Sequence, residues 1–159
     1  MDGMTIAPAA ALEQLLAVLR EGFEGPAEAW SYFTDSGGEA ALFGTLDRLS
    51  AEQASQPSGP GGTTIAGQVH HLVFSLSAST DWILDRWEPR DWGESWRVTT
   101  VDEAAWAELR DALRRGYEAL TDAVQARAMA DEKAFGGAVG AIAHIAYHLG
   151  AIRQKLPRR

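Results

Sequence analysis

Apolar positions recur along the chain at helical spacing, with no run of alternating β-branched residues, so the pattern predicts an all-α protein. A first helix is expected from about Ala9 to Glu21, with Leu12, Leu15, Leu16 and Leu19 on one stripe, ended by Gly22, Gly25 and Pro26. A shorter helical piece, about Glu39 to Leu49, carries Leu42, Phe43, Leu46 and Leu49 at the same spacing. Residues Gln56 to Gly62 form a Pro/Gly/Ser loop, after which Thr63 or Thr64 supplies the N-cap of a second long helix reaching about Arg86. Its stripe is Ile65, Val69, Leu72, Leu76 and Ile83. From Trp87 to Thr99 the chain is Trp-rich and aperiodic, the mark of a packed loop rather than a linker. Thr100 and Glu103 have capping-box spacing and open a third helix, whose stripe of Trp106, Leu109, Leu113, Leu120 and Val124 runs to about Arg127. A fourth helix spans roughly Ala134 to Leu156 and stops at Pro157. Four long amphipathic segments predict a four-helix bundle.

With 159 residues, 46% hydrophobic and no cysteine, the chain suits a single domain over residues 1–159 and excludes a disulfide-stapled scaffold. A core of that size needs no metal merely to exist, so a metal site would be functional. The net charge of -8 opposes attraction to phosphate backbones and anionic lipid, and neither nucleic acid nor membrane is an expected partner. The start, Met1 to Ile6, lacks a cationic region of the kind that opens a signal peptide. With the absence of cysteine, this leads to the expectation of a cytoplasmic protein.

The four histidines occupy two helices: His70 and His71 the second, His144 and His148 the fourth. Residues four apart share a helix face, so His144 and His148 can turn their rings toward one point. No Asp, Glu, Lys or Arg occurs from Ala134 to Ile152, so this helix has no broad charged face and its imidazoles are expected to point inward. Buried imidazoles without a local carboxylate need a partner, and a metal ion supplies one. The alternative is a pair of core histidines hydrogen-bonded within the protein. Gly136, Gly137, Gly140 and Gly150 allow close helix packing, with room for a ligand as the other reading. On the second helix, His70 and His71 flank the apolar stripe on opposite sides. The semi-polar seam of Gln68, Ser75 and Trp82 favours His71 slightly.

The run Thr64-Ile65-Ala66-Gly67-Gln68-Val69-His70-His71-Leu72 resembles the second-helix motif of the DinB/YfiT-like proteins. Ala143-His144-Ile145-Ala146-Tyr147-His148-Leu149-Gly150, continuing through Arg153 and Gln154, resembles their last-helix motif. The likeness extends in order and spacing from the first helix to about Leu156. It implies a four-helix bundle, often homodimeric, with a divalent ion, zinc or nickel, held by His71, His144 and His148. His70 is left as a surface or supporting imidazole, with replacement of His71 as the other reading. Some relatives transfer or isomerise substrates with low-molecular-weight thiols such as mycothiol or bacillithiol.

Three histidines and an open position suit a catalytic ion, whereas structural zinc sites close with four ligands. A thiol reaching such an ion would be ionised and could attack a small electrophile, with the glycine-rich helix and Trp82 as walls. Ile145 follows His144, so the general-base Glu of a His-Glu-x-x-His protease is missing. The competing reading is a non-catalytic, metal-binding dimer acting in stress response or interaction. Trp82, Trp87, Trp92 and Trp96 either wall a substrate pocket or pack beneath the loop. Asp81 and Asp85 receive no role, and Arg153, Lys155, Arg158 and Arg159 complement the last helix's dipole.

Overall fold

Pro8, with no N–H to lose at a helix start, opens α1 (Pro8–Glu24). The helix ends where Gly25 adopts φ 98, and a Cβ there would come within 2.6 Å of the Gly38 backbone. That stop lies beyond the expected Glu21, because Gly22 is tolerated inside the last turn and packs against Ile145. The computed structural model describes residues 6–35 and 37–156. Pro157, expected to stop the last helix, lies outside them with Arg158, Arg159 and Met1 to Thr5.

The expected piece over 39–49 divides into a 3-10 turn (Gly38–Ala40) and a short α2 (Leu42–Leu46). A further short helix, α3 (Ala51–Ala54), is opened by a reciprocal capping box between Ser50 and Gln53. Thr64 caps α4 (Ile65–Ile83), its hydroxyl accepting from the Gly67 N–H at 3.0 Å and donating to the Thr99 carbonyl at 2.7 Å. The helix ends before Arg86 because Asp85 turns left-handed at φ 59. Its N–H and that of Arg86 then bond back to the Trp82 and Asp81 carbonyls.

The expected capping box of Thr100 and Glu103 does not form. Asp102, a better N-cap acceptor than threonine, opens α5 (Glu103–Arg127) by accepting from the Ala105 N–H at 2.8 Å. Glu103 instead reaches the Ala51 N–H at the start of α3, at 3.0 Å. Likewise α6 (Glu132–Gln154) starts two residues before the expected Ala134, with Asp131 as its cap and Glu132 in a first turn that favours negative charge.

Among the described residues the regular structure is entirely helical. α4 packs against α5 and α6, and α1 packs against both of these as well. The four enclose one apolar cluster that includes Leu19, Phe23, Leu72, Leu76, Leu113, Leu120, Ile145 and Leu149. Trp106 is fully buried there and its indole N–H donates to the Leu49 carbonyl at 2.8 Å, tying α5 to the α2–α3 connection. α4 and α6 run antiparallel: Gly137 lies against Trp82 and Ile83, while His144 meets His71. α6 is apolar and long enough to cross a membrane by length and composition alone, yet seven of its residues are buried within this helical assembly.

Candidate metal centre

On α4, Gln68 and His71 are three residues apart and face α6, where His144 and His148 stand one turn apart on the facing side. The ring nitrogens of His71, His144 and His148 lie within 4.8 Å of one another. Ring centroids are 5.2 Å apart for His71 and His144, 4.7 Å for His71 and His148, and 4.4 Å for His144 and His148. His71 and His148 are 6% and 4% exposed, while His144 is half-buried.

The outer nitrogens are occupied, and their partners fix the tautomers. Ser95 Oγ donates its proton to the Trp92 carbonyl at 2.6 Å, so toward His71 Nδ1, 2.8 Å away, it can only accept. His71 is therefore protonated at Nδ1 and turns an Nε2 lone pair inward. His148 Nδ1 donates to Gln68 Oε1 at 2.6 Å, with the same consequence at its Nε2. His71 is further clamped by Trp96, stacked on it at 4.1 Å and 15°. Such outer-partner bonds orient metal-ligating histidines.

The inner nitrogens face one another. His71 Nε2 and His144 Nε2 are 3.1 Å apart, a separation that requires a proton or a cation between them. Two nitrogens bound to one tetrahedral ion at about 2.0–2.1 Å would stand roughly 3.3 Å apart. Burial, followed by the neighbouring His144 and His70, lowers the His71 pKa to about 4. Burial, followed by His144 and His71, takes His148 to about 4 as well. Burial also lowers His144, so near neutral pH the set is uncharged, as metal ligation requires. Among the described residues no Cys, Asp, Glu or further His joins the three, so an ion held there would lack a fourth protein ligand. The donor set fits a divalent ion.

His70 is outside the cluster. It is half-buried and its Nδ1 meets the Ser95 carbonyl at 2.8 Å. Both histidines of α4 thus hold the Trp-rich connection, and its 3-10 turn, Trp92–Trp96, lies against that helix. Arg90 fastens the same connection by pairing with Asp81, donating to Ser77 at 3.1 Å and lying over the Phe74 ring. Asp85 pairs with Lys133 and Arg153 with Asp35, so these charges join elements rather than face the histidines.

Sequence reasoning did not find Ser95, and it read Trp96 only as a pocket wall or loop packing, not as the ring stacked on His71; both come from an aperiodic segment. Gln68 was visible as part of the polar seam through His71, three residues before it, but not as the partner of His148.

Long antiparallel helices carrying three inward-turned imidazoles on one seam define a helical protein able to bind a metal ion. The chain belongs to the DinB superfamily, whose family model matches residues 36–152. The matched stretch contains all three histidines together with Gln68 and Ser95, and begins after α1. No curated protein and no solved structure matches the chain.

Proposed function

We propose that this single-domain DinB-type four-helix bundle binds one divalent ion, zinc or nickel, through His71, His144 and His148. We further propose that it uses the ion to catalyse transfer between a low-molecular-weight thiol and a small electrophile. The observation that carries the reading is the double locking of the outer nitrogens by Ser95 and Gln68, which commits the Nε2 atoms of His71 and His148 to the interior. A bound ion supplies positive charge that ionises a thiol at neutral pH, which a chain without cysteine cannot provide from its own side chains.

The chain's residues have separate tasks in this scheme. Gln68 and Ser95 hold two imidazoles in the ligating tautomer, Trp96 fixes the plane of His71, and burial keeps the imidazoles unprotonated. No carboxylate stands among the three histidines in the described residues, which favours an exogenous nucleophile over a protein general base. The family resemblance adds the further expectation of a homodimer, and the absence of cysteine adds that of a cytoplasmic setting.

The test loads the purified protein with zinc or nickel and assays it with mycothiol, bacillithiol, glutathione and coenzyme A against a generic electrophile. Thiol-dependent turnover that disappears in His148→Ala is expected. Turnover of an ester by water alone, with no thiol dependence, would replace the transferase reading with a hydrolase. Sedimentation of the same sample measures the oligomeric state.

A further inference from the structure

One helical turn from the histidines on α6 and two on α4, the α4–α6 seam opens into a groove of about 230 Å³. Trp82, Trp87 and Trp92 line one side, and Gly137, Gly140 and Ala141 line the other. We infer that this groove holds the flat, uncharged, apolar body of a one- or two-ring aromatic substrate, with its reactive end toward the three histidines. The inference rests on the proposed metal chemistry only for that last clause.

The three indoles are between 39% and 53% exposed, an unusual amount of aromatic surface to leave in water at one place. They are nevertheless held in fixed positions. Trp82 and Trp87 meet edge to face at 6.1 Å, Lys133 caps the Trp82 ring at 4.7 Å, and Trp92 packs edge to face on Phe74 at 5.2 Å. The opposite wall carries nothing larger than the Ala141 methyl, although glycine inside a helix costs about 1 kcal/mol relative to alanine. A Cβ at Gly137 would stand 2.8 Å from Trp82 Cδ1, so glycine there lets the indole lie directly on α6. A Cβ at Gly140 would meet nothing within 4 Å, because that position borders the open groove.

The lining also selects the ligand's character. It contains no ionisable side chain, and apart from the indole N–H groups its one polar side chain is Ser79. A charged ligand would lose its hydration there without a counter-charge. Drug-sized ligands usually fill cavities above about 300 Å³, so the groove suits a smaller body, and a protein partner would need far more surface to dock. Continuity with the histidines comes from both walls. Ala141 precedes His144 by one helical turn, about 5 Å of rise. Trp92 lines the groove and its ring lies 6.1 Å from that of His71.

The test titrates 1-naphthol and the anionic 1-naphthalenesulfonate into the metal-free and the zinc-loaded protein, followed by tryptophan fluorescence and calorimetry, with zinc content measured separately. Saturable one-to-one binding of naphthol is expected in both forms, with the sulfonate at least tenfold weaker. Gly140→Leu fills the groove and should weaken naphthol at least tenfold while leaving zinc content unchanged. Gly136→Leu, where a Cβ also meets nothing within 4 Å but which does not line the groove, should bind as the parent does. Should Gly140→Leu fail to fold by circular dichroism, Trp87→Ala removes one wall instead and should weaken naphthol in the same direction. Equal binding in the groove-altered variant, or equal binding of the sulfonate, would overturn the inference. So would a parent dimer that Gly140→Leu dissociates with no naphthol bound by either, since a second copy would then cover the groove. Naphthol binding by a protein that takes up no metal would sustain the groove and refute the proposed metal chemistry; zinc uptake without naphthol binding would do the reverse.

Discussion

Two buried polar groups in this protein are satisfied in opposite ways. Glu21, 2% exposed near the end of α1, accepts from the backbone N–H groups of Tyr32, Phe33 and Thr34 and from the Thr34 hydroxyl, at 2.8–3.1 Å. Both carboxylate oxygens are answered within the fold, and the network is closed. In the histidine cluster the outer nitrogens of His71 and His148 are answered by Ser95 and Gln68, while inner nitrogens converge on one another. The first arrangement stores its interactions in the fold and fixes a loop. The second leaves donor atoms pointed at a common centre, which is what a ligand-binding site requires.

The comparison breaks most sharply if the histidines are also a closed structural network. His148→Ala should reduce zinc affinity by more than the roughly 10–100-fold that loss of an outer partner costs, and His71→Ala and His144→Ala should do the same. Helical circular dichroism should persist in all three. Metal titration beside thermal unfolding decides the matter: variants that unfold rather than merely lose metal would make the ion structural. Glu21→Ala should behave in the reverse manner. Leaving three backbone donors and a hydroxyl without their charged acceptor costs about 3 kcal/mol by urea denaturation, with zinc affinity of the folded protein unchanged within a few-fold.

Acid should separate the two networks by pH. Burial pushes Glu21 up, but the hydrogen bonds from Tyr32, Phe33 and Thr34 outweigh it and hold its carboxyl below the ordinary 4.5. A depressed carboxylate contributes stability that is present above pH 4.5 and is lost as pH falls through its folded value. His71 and His148 ionise at 6.5 when unfolded and at about 4 when folded, so between those values the unfolded chain binds more protons. The metal-free protein should therefore lose stability from pH 6.5 downward, and an additional loss should begin below pH 4.5. Denaturation midpoints measured in half-unit steps should show the upper window diminished in a His71→Ala/His148→Ala double variant, which leaves only His144 to contribute to it. In Glu21→Ala the lower window should be diminished.

A smaller effect sharpens the idea that outer partners set the ligating tautomer. Gln68→Leu removes the acceptor for His148 Nδ1 without touching any of the three histidines. Zinc affinity should fall about 10–100-fold. An unchanged affinity would mean that α6 alone orients His148.

How much of this was legible in the sequence depends on whether periodicity carries the signal. The long helices and the pairing of His144 with His148 follow from 3.6-residue repetition, and a cap at Thr63 or Thr64 was legible because a hydroxyl before an apolar stripe is an N-cap, the fold using Thr64. α3 was missed because four residues cannot display a period, although Ser50 and Gln53 have capping-box spacing. Thr100 and Glu103 have the same spacing, but Asp102 captured the cap and Glu103 found a longer-range partner. Glu21 was expected only as the approximate end of the first helix, and the return of residues 32–34 makes it a buried acceptor. Ser95 and Trp96 belong to the same category: their roles arise when an aperiodic connection folds back on α4, with nothing local to announce them.

The adjacent histidines of α4 provide the smallest and most discriminating test. His70 and His71 have the same chemistry and contact the same residue, Ser95, but through different atoms. His71 uses the Ser95 hydroxyl to present Nε2 to the cluster, whereas His70 bonds the Ser95 carbonyl and is not among the clustered rings. His70→Ala therefore removes one hydrogen bond, about 1 kcal/mol of stability, and leaves the Ser95 hydroxyl anchored by the Trp92 carbonyl and His71. Zinc affinity should change by no more than a few-fold while the denaturation midpoint falls slightly. A loss of metal equal to that of His71→Ala would show that His71 is not the sole ligand from α4. His70 would then also have to reach the ion, by a rearrangement of the Trp-rich connection that now holds it on the Ser95 carbonyl.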